Sequence, residues 1–301
     1  MLTRMFAVGA RGPAAGAIET RYQAAPSVHR SSEGDGTGVV MDMMDTPSAP
    51  YTFSSLHALL LLSDSALPLG SFAFSSGLES FLAHSKPKHS QPAATKLAAF
   101  ETFLQHSLAN IASTALLYVL TAHHRLSRLA DLDNDFDAST PCTVARRASV
   151  TQGRALLAVW ERALCHTTAA TDESRAAAKE LSAFATASKA SKPDTYGLLL
   201  NAHFPPLFGL VCLALGLPAH ETAYLFLLNH AKALLSAAVR ASVMGPYQSQ
   251  AVLASGKLQG WIETCIAKEQ GREVEGTAIT VPVMDLWMGR HELLYSRIFN
   301  S

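Results

Sequence analysis

The chain has 301 residues, of which 49% are hydrophobic and only 16% charged, and its 24 basic side chains balance 24 acidic ones. A neutral chain lacks the clustered positive charge of nucleic-acid-binding proteins, so we expect no nucleic-acid partner. Its mean hydropathy of +0.15 is too low for a multi-span membrane protein, so no membrane association is expected. The low charge leaves an uncharged surface, which favours a protein partner or self-association.

Residues 1–50 are rich in glycine, alanine, serine and proline and show no helical or strand periodicity, which predicts a disordered leader. Arginines in this stretch leave an organellar transit peptide open, although the apolar stripe of such peptides is missing. The four cysteines are too widely spaced for a CxxC site, and no secretory signal is visible. We therefore expect a cytoplasmic location.

From residue 51 the composition shifts to leucine and alanine, and apolar residues recur at spacings of three and four. Residues 51–270 are therefore predicted to form a single all-α helical-bundle domain of roughly eight to ten helices. Within it, the acidic stretch 131–141 is interpreted as a solvated loop and 166–195 as an expanded linker. Residues 271–301 lose the helical pattern and predict an extended C-terminal docking tail, with 277–283 as an extended arm.

Motifs for catalysis fail at identifiable residues. The alternating aspartates from Asp131 lack the glycine and glutamate that a calcium loop requires. His291 and Glu292 begin an HExxH zinc motif, but Tyr295 stands where the second histidine is needed. There is no nucleotide-binding loop and no nucleophile elbow. The chain is therefore predicted not to be an enzyme, with no cofactor and no dedicated metal site.

The twelve histidines nevertheless leave two alternatives. One is a helical metal-dependent enzyme whose His and Asp ligands are dispersed along the sequence. The other is a nickel-binding protein whose histidines meet at a dimer axis. His123 and His124 are adjacent and point about 100° apart on a helix, so they do not form a site by themselves.

The most specific segment is LLLLSDSALPLGSFAFSSGLE at 59–79, which predicts a helix, a turn and the start of a second helix. Three further motifs follow in order: HFPPLFGLVCLALGL at 203–217, LLSAAVRASVMGPYQSQ at 234–250 and HELLYSRIFNS at 291–301. These four segments resemble the signatures of the UreF family of urease accessory proteins. The positions that match in the first segment are Ser63 or Ser65, Leu67, Pro68, Gly70, Phe72, Ser75, Gly77, Leu78 and Glu79.

This resemblance implies an all-α homodimer without catalysis of its own. It implies a scaffold between the accessory protein UreD, also called UreH, and the GTPase UreG in the assembly that delivers nickel to apo-urease. Nickel would be handled by that complex and not by a site in this chain. On the matching motifs, the candidate partner-binding or dimer-contact residues are Phe72, Glu79, Arg240, Gln250, His291, Tyr295, Arg297 and Phe299.

Overall fold

Leucine-rich and alanine-rich stretches become helices throughout the computed structural model, which describes residues 54–84, 93–193 and 196–300. No strand occurs in these residues, so the predicted all-α fold is confirmed. The α-helices are α1 Ser55–Ser63, α2 Leu78–His84, α3 Ala93–Ile111, α4 Leu117–His124, α5 Leu129–Ser139, α6 Thr143–Val159, α7 Asp172–Ala190, α8 Phe204–Ala214, α9 Ala219–Arg240, α10 Pro246–Leu253, α11 Gly256–Glu269 and α12 Val283–Arg290.

Helix α8 forms the centre of the bundle because it is apolar on all sides. Every residue from Pro205 to Ala214 is buried, and α4, α6 and α7 pack around the helix. A Cβ atom on Gly209 would lie 2.0 Å from the carbonyl oxygen of Val119, so α8 and α4 touch backbone to backbone at this point. Any larger residue at position 209 would force these two helices apart.

Two long helices surround this centre. Helix α3 continues through the π-helical turn Ala112–Leu116 into α4, and α9 packs against α1, α3, α4 and α11. Thr95–His124 and Ala219–Arg240 are long and apolar enough to cross a membrane, but 67% and 56% of their apolar windows are buried inside the bundle. Core helices of a globular domain have the same length and composition.

Two sequence interpretations were wrong. The acidic stretch is not a solvated loop, because residues 129–139 form α5, which buries Leu132, Asp133 and Phe136. The supposed linker contains α7, whose N-cap Thr171 accepts a hydrogen bond from the backbone of Ser174. Eleven of the twelve α-helices in the described residues lie within 51–270, where roughly eight to ten were expected.

The predicted C-terminal tail, residues 271–301, is partly helical, since α12 lies within it. Before α12, residues 277–281 form no helix, as predicted for the extended arm, and run against the π-helical turn. There the N–H of Ala278 donates to the carbonyl of Ser113 at 3.2 Å. The described part of this tail belongs to one compact unit, Pro50–Ser301. The predicted leader lies outside the described residues.

Candidate docking site

The first signature segment makes a sharp turn that only glycine accommodates easily. After α1, Gly70 and Gly77 adopt left-handed φ values of +71° and +85°. Gly77 is also pressed against α12, because a Cβ atom there would lie 3.0 Å from the Cβ of Trp287. The turn therefore places the start of α2, with Glu79 in its first turn, directly beside α12.

The Glu79 carboxylate forms hydrogen bonds with a segment that lies more than two hundred residues later in the chain. Its Oε1 accepts a hydrogen bond from the N–H of Ile298 at 2.6 Å, and its Oε2 accepts one from the N–H of Phe299 at 3.2 Å. The Nε2 of buried His291 lies 3.0 Å from Oε2. We call this arrangement the Glu79 clamp. Because its acceptor is a carboxylate, its hydrogen bonds are of the stronger, charge-assisted kind.

Arg240, at the end of α9, holds the same C-terminal residues from a second side. Its guanidinium lies 4.4 Å from the ring centroid of Phe299, a cation–π contact. It also donates a hydrogen bond to the carbonyl of Phe72. Next to it, the N–H of Asn300 donates to the carbonyl of Ala73 at 2.8 Å. The first, third and fourth signature segments therefore converge on one place.

A surface ion-pair chain extends the site towards α6. Glu292 accepts hydrogen bonds from Arg147, the closer partner, and from Arg297 at 3.3 Å. The hydrogen bond from Arg147, followed by its positive charge, lowers the pKa of the Glu292 carboxyl. These side chains are exposed, so they orient the segment more than they stabilise it.

Five apolar side chains on these segments and on neighbouring α12 are exposed, and we call them together the terminal patch. Tyr295 is fully exposed, and the other members are between 62% and 78% exposed. Large apolar side chains grouped in this way are typical of protein-interaction surfaces. The terminal patch consists of Phe72, Leu286, Leu293, Tyr295 and Ile298.

The eight residues predicted from the motifs thus divide into different roles. Glu79, Arg240, His291 and Phe299 contact one another's segments inside the chain, whereas Phe72, Tyr295 and Arg297 are exposed at the same place. Gln250 is exposed on α10, and no hydrogen bond among the described residues involves its side chain. Phe299 is not available on the surface, because it is only 4% exposed and its ring packs under Arg240. The motifs did not reveal Arg147, since its partner is 145 residues away.

The start of the second signature segment is held by hydrogen bonds to a different carboxylate, that of Asp133. Asp133, fully buried on α5, accepts hydrogen bonds from the backbone N–H groups of Asn201, Ala202 and His203 at 2.6–3.2 Å. Burial raises the pKa of this carboxyl, and the N–H donors oppose that shift. The His203 ring bridges Ser149 and Asp137, each at 3.1 Å. This Asp133 clamp fixes the chain as it enters α8.

The described residues contain no group of three or more His, Cys, Asp or Glu side chains placed to hold a metal ion. His123 and His124 lie with ring centroids 5.3 Å apart, but His123 hydrogen-bonds the carbonyl of Leu217 instead of facing a shared ion. Burial lowers the pKa of His123.

Fold and site together define an all-α protein in which separate signature segments hold a folded-back C-terminal segment beside an exposed apolar patch. A family model described as UreF matches residues 94–257. A Schizosaccharomyces pombe protein named "Uncharacterized urease accessory protein UreF-like" is 36% identical over 245 residues, which cover 81% of this chain and 97% of the relative. The chain belongs to the UreF family.

More distant relatives occur in other fungi and in plants. "Urease accessory protein 6" of Cryptococcus neoformans is 27% identical, and the match covers 82% of this chain and 97% of the relative. "Urease accessory protein F" of Arabidopsis thaliana is 29% identical, with coverage of 80% and 90%. The chain therefore matches nearly the whole length of these relatives.

Proposed function

We propose that this chain is a non-catalytic scaffold in urease maturation that bridges the accessory protein UreD/UreH and the GTPase UreG. Membership of the UreF family supports a role in urease maturation, and the relatives are named as accessory proteins. In this role the chain would modulate the GTP-dependent delivery of nickel by UreG to apo-urease. It would act in the cytoplasm as a homodimer, with nickel handled by the assembled complex.

The terminal patch is the observation that carries the docking part of this proposal. Its side chains project from a backbone already fixed by the Glu79 clamp, so a partner need not order that backbone on binding. Tyr295 is the best anchor, because tyrosine is enriched among the residues that dominate binding energy. Arg290 and Arg297, also exposed, add positive charge at the rim. We propose that UreD/UreH docks on this patch.

A binding measurement with Tyr295→Ser tests the docking site. We expect the Kd for UreD to rise by about tenfold or more, because an interface anchor of this type contributes roughly 2 kcal/mol. Since the Tyr295 side chain is fully exposed, the variant should keep the far-UV CD spectrum and melting temperature of the parent. Calorimetric titration with purified UreD would measure the change.

Tyr196→Ser is the matched control, because Tyr196 is 87% exposed in the loop before α8. It should leave the Kd for UreD unchanged. Equal affinities for parent and Tyr295→Ser would remove the docking assignment. Activation of apo-urease by UreD and UreG in the absence of this chain would instead overturn the scaffold itself.

A further inference from the structure

A cavity of about 270 Å³ lies between the first signature segment and helices α3, α6, α8, α9 and α12. This volume is near the lower end of small-molecule sites, which are roughly 300–1,000 Å³. Its wall is mainly apolar and strongly aromatic. The aromatic side chains that line it are Phe72, Phe74, Phe136, Phe204, Phe208 and Phe226.

Three formally charged side chains also line this cavity: Asp64, Lys232 and Asp285. The Lys232 ammonium donates to the carbonyl of Ser63 and is attracted by Asp64, while burial lowers its pKa. These two opposite charges offset each other. One carboxylate, that of Asp285, is then left over.

Asp285 has no side-chain hydrogen bond or ion pair to any other described residue. It stands in the first turn of α12, where the helix dipole supplies only a partial positive charge. Burial raises the pKa of its carboxyl, the sign of a charged form that the surroundings do not fully compensate. The nearby imidazole of His230 supplies no cation near neutral pH, because burial lowers its pKa to about 4.

We propose that this cavity binds a small organic ammonium ion, with its apolar body among the phenylalanine rings and its charged nitrogen at Asp285. Aromatic faces attract cations, and a carboxylate forms a charge-assisted hydrogen bond with an ammonium group. The small volume limits the ligand to about one ring or a short alkyl chain. This site shares Phe72 with the terminal patch, but its charged group, Asp285, is not a member of that patch, and the proposal does not depend on urease maturation.

Calorimetric titration of the full chain with 2-phenylethylamine tests the proposal, with 2-phenylethanol as the uncharged analogue of nearly equal shape. We expect the amine to bind at least about tenfold more tightly than the alcohol, because only the amine adds a charge-assisted bond. The acid 3-phenylpropanoate should bind more weakly than the alcohol. This ligand comparison uses the unaltered protein, so it does not depend on whether any variant folds.

The variant Asp285→Asn tests whether the ammonium group of the ligand binds at the Asp285 carboxylate. It should reduce the affinity for the amine to that for the alcohol and leave the affinity for the alcohol unchanged. Asp64→Asn is the matched control, since Asp64 is offset by Lys232, and it should keep the preference for the amine. Equal binding of amine and alcohol, no binding of either at millimolar concentration, or an unaffected amine affinity in Asp285→Asn would each overturn the proposal.

Discussion

The Glu79 clamp and the Asp133 clamp use the same chemistry in two different places. In each, one carboxylate accepts hydrogen bonds from consecutive backbone N–H groups of a distant segment, and a buried histidine on that segment contacts a carboxylate. Asp133 lies in the core and positions α8, whereas the Glu79 side chain is 12% exposed and positions a segment at the surface. The same device thus builds the bundle in one region and orders an exposed apolar segment in the other.

Removing the internal clamp should have the larger effect on stability. Asp133→Ala leaves three N–H groups without their acceptor at a site closed to water, so we expect the free energy of unfolding to fall by about 3–5 kcal/mol. Urea denaturation followed by CD would measure this fall in the free energy of unfolding. Asp131→Ala, on the exposed side of the same helix, should change stability by less than about 1 kcal/mol. Similar losses in the two variants would refute the assignment of Asp133 as a clamp.

Removing the surface clamp should act locally. With Glu79→Ala we expect a fall in global stability of only about 1–2 kcal/mol, because the terminal segment can detach while the bundle stays folded. Hydrogen exchange at the amides of Ile298 and Phe299 should accelerate by about tenfold or more. Glu263→Gln serves as the control, because the Glu263 side chain is exposed and pairs with His220 at the surface. Unchanged exchange at both amides would show that Glu79 does not hold the segment.

His230, whose side chain hydrogen-bonds only Ser107 among the described residues, provides a test through the pH dependence of stability. His230 faces the Ser107 hydroxyl at 2.8 Å, and its folded-state pKa of about 4 lies below the unfolded value of 6.5. Between these two pH values the unfolded chain binds the extra proton, so stability falls as pH falls through this window. The contribution is about 1 kcal/mol per pH unit once the unfolded imidazole is protonated. His230→Gln should reduce this slope in urea denaturations at pH 6.5 and 5; an unchanged slope would contradict the assignment.

The sequence predicted the fold class well because helix-forming composition and apolar periodicity are local properties. It did not predict α5, because four alternating aspartates dominate that stretch. The signal was present nevertheless: Asp133 and Asp137 are four residues apart, so both lie on one helical face with Leu129 and Phe136. Sequence alone offers no reason to bury a carboxylate there, since the three N–H donors come from 68–70 residues away.

For the candidate docking site, the motifs pointed to several residues that lie close together in the structure, but they did not indicate which of them face outward. Spacing placed Phe299 beside Tyr295 in one short segment, and an irregular backbone has no fixed periodicity from which orientation follows. The Phe299 ring turns inward and contacts the Arg240 guanidinium, whereas no cation–π contact among the described residues involves Tyr295. Orientation is therefore set by residues that lie far away in the chain.

The long reach of the Glu79 clamp has a consequence for synthesis on the ribosome. Glu79 and Ile298 are 219 residues apart in the chain. Helix α2 therefore leaves the ribosome long before the N–H groups that bind the Glu79 carboxylate have been synthesised. During that interval the turn around Gly77 lacks α12 as well, and its apolar side chains remain uncovered. Late closure of this kind prolongs the time in which a nascent chain can aggregate. The step that orders the terminal patch is therefore also among the last steps of folding.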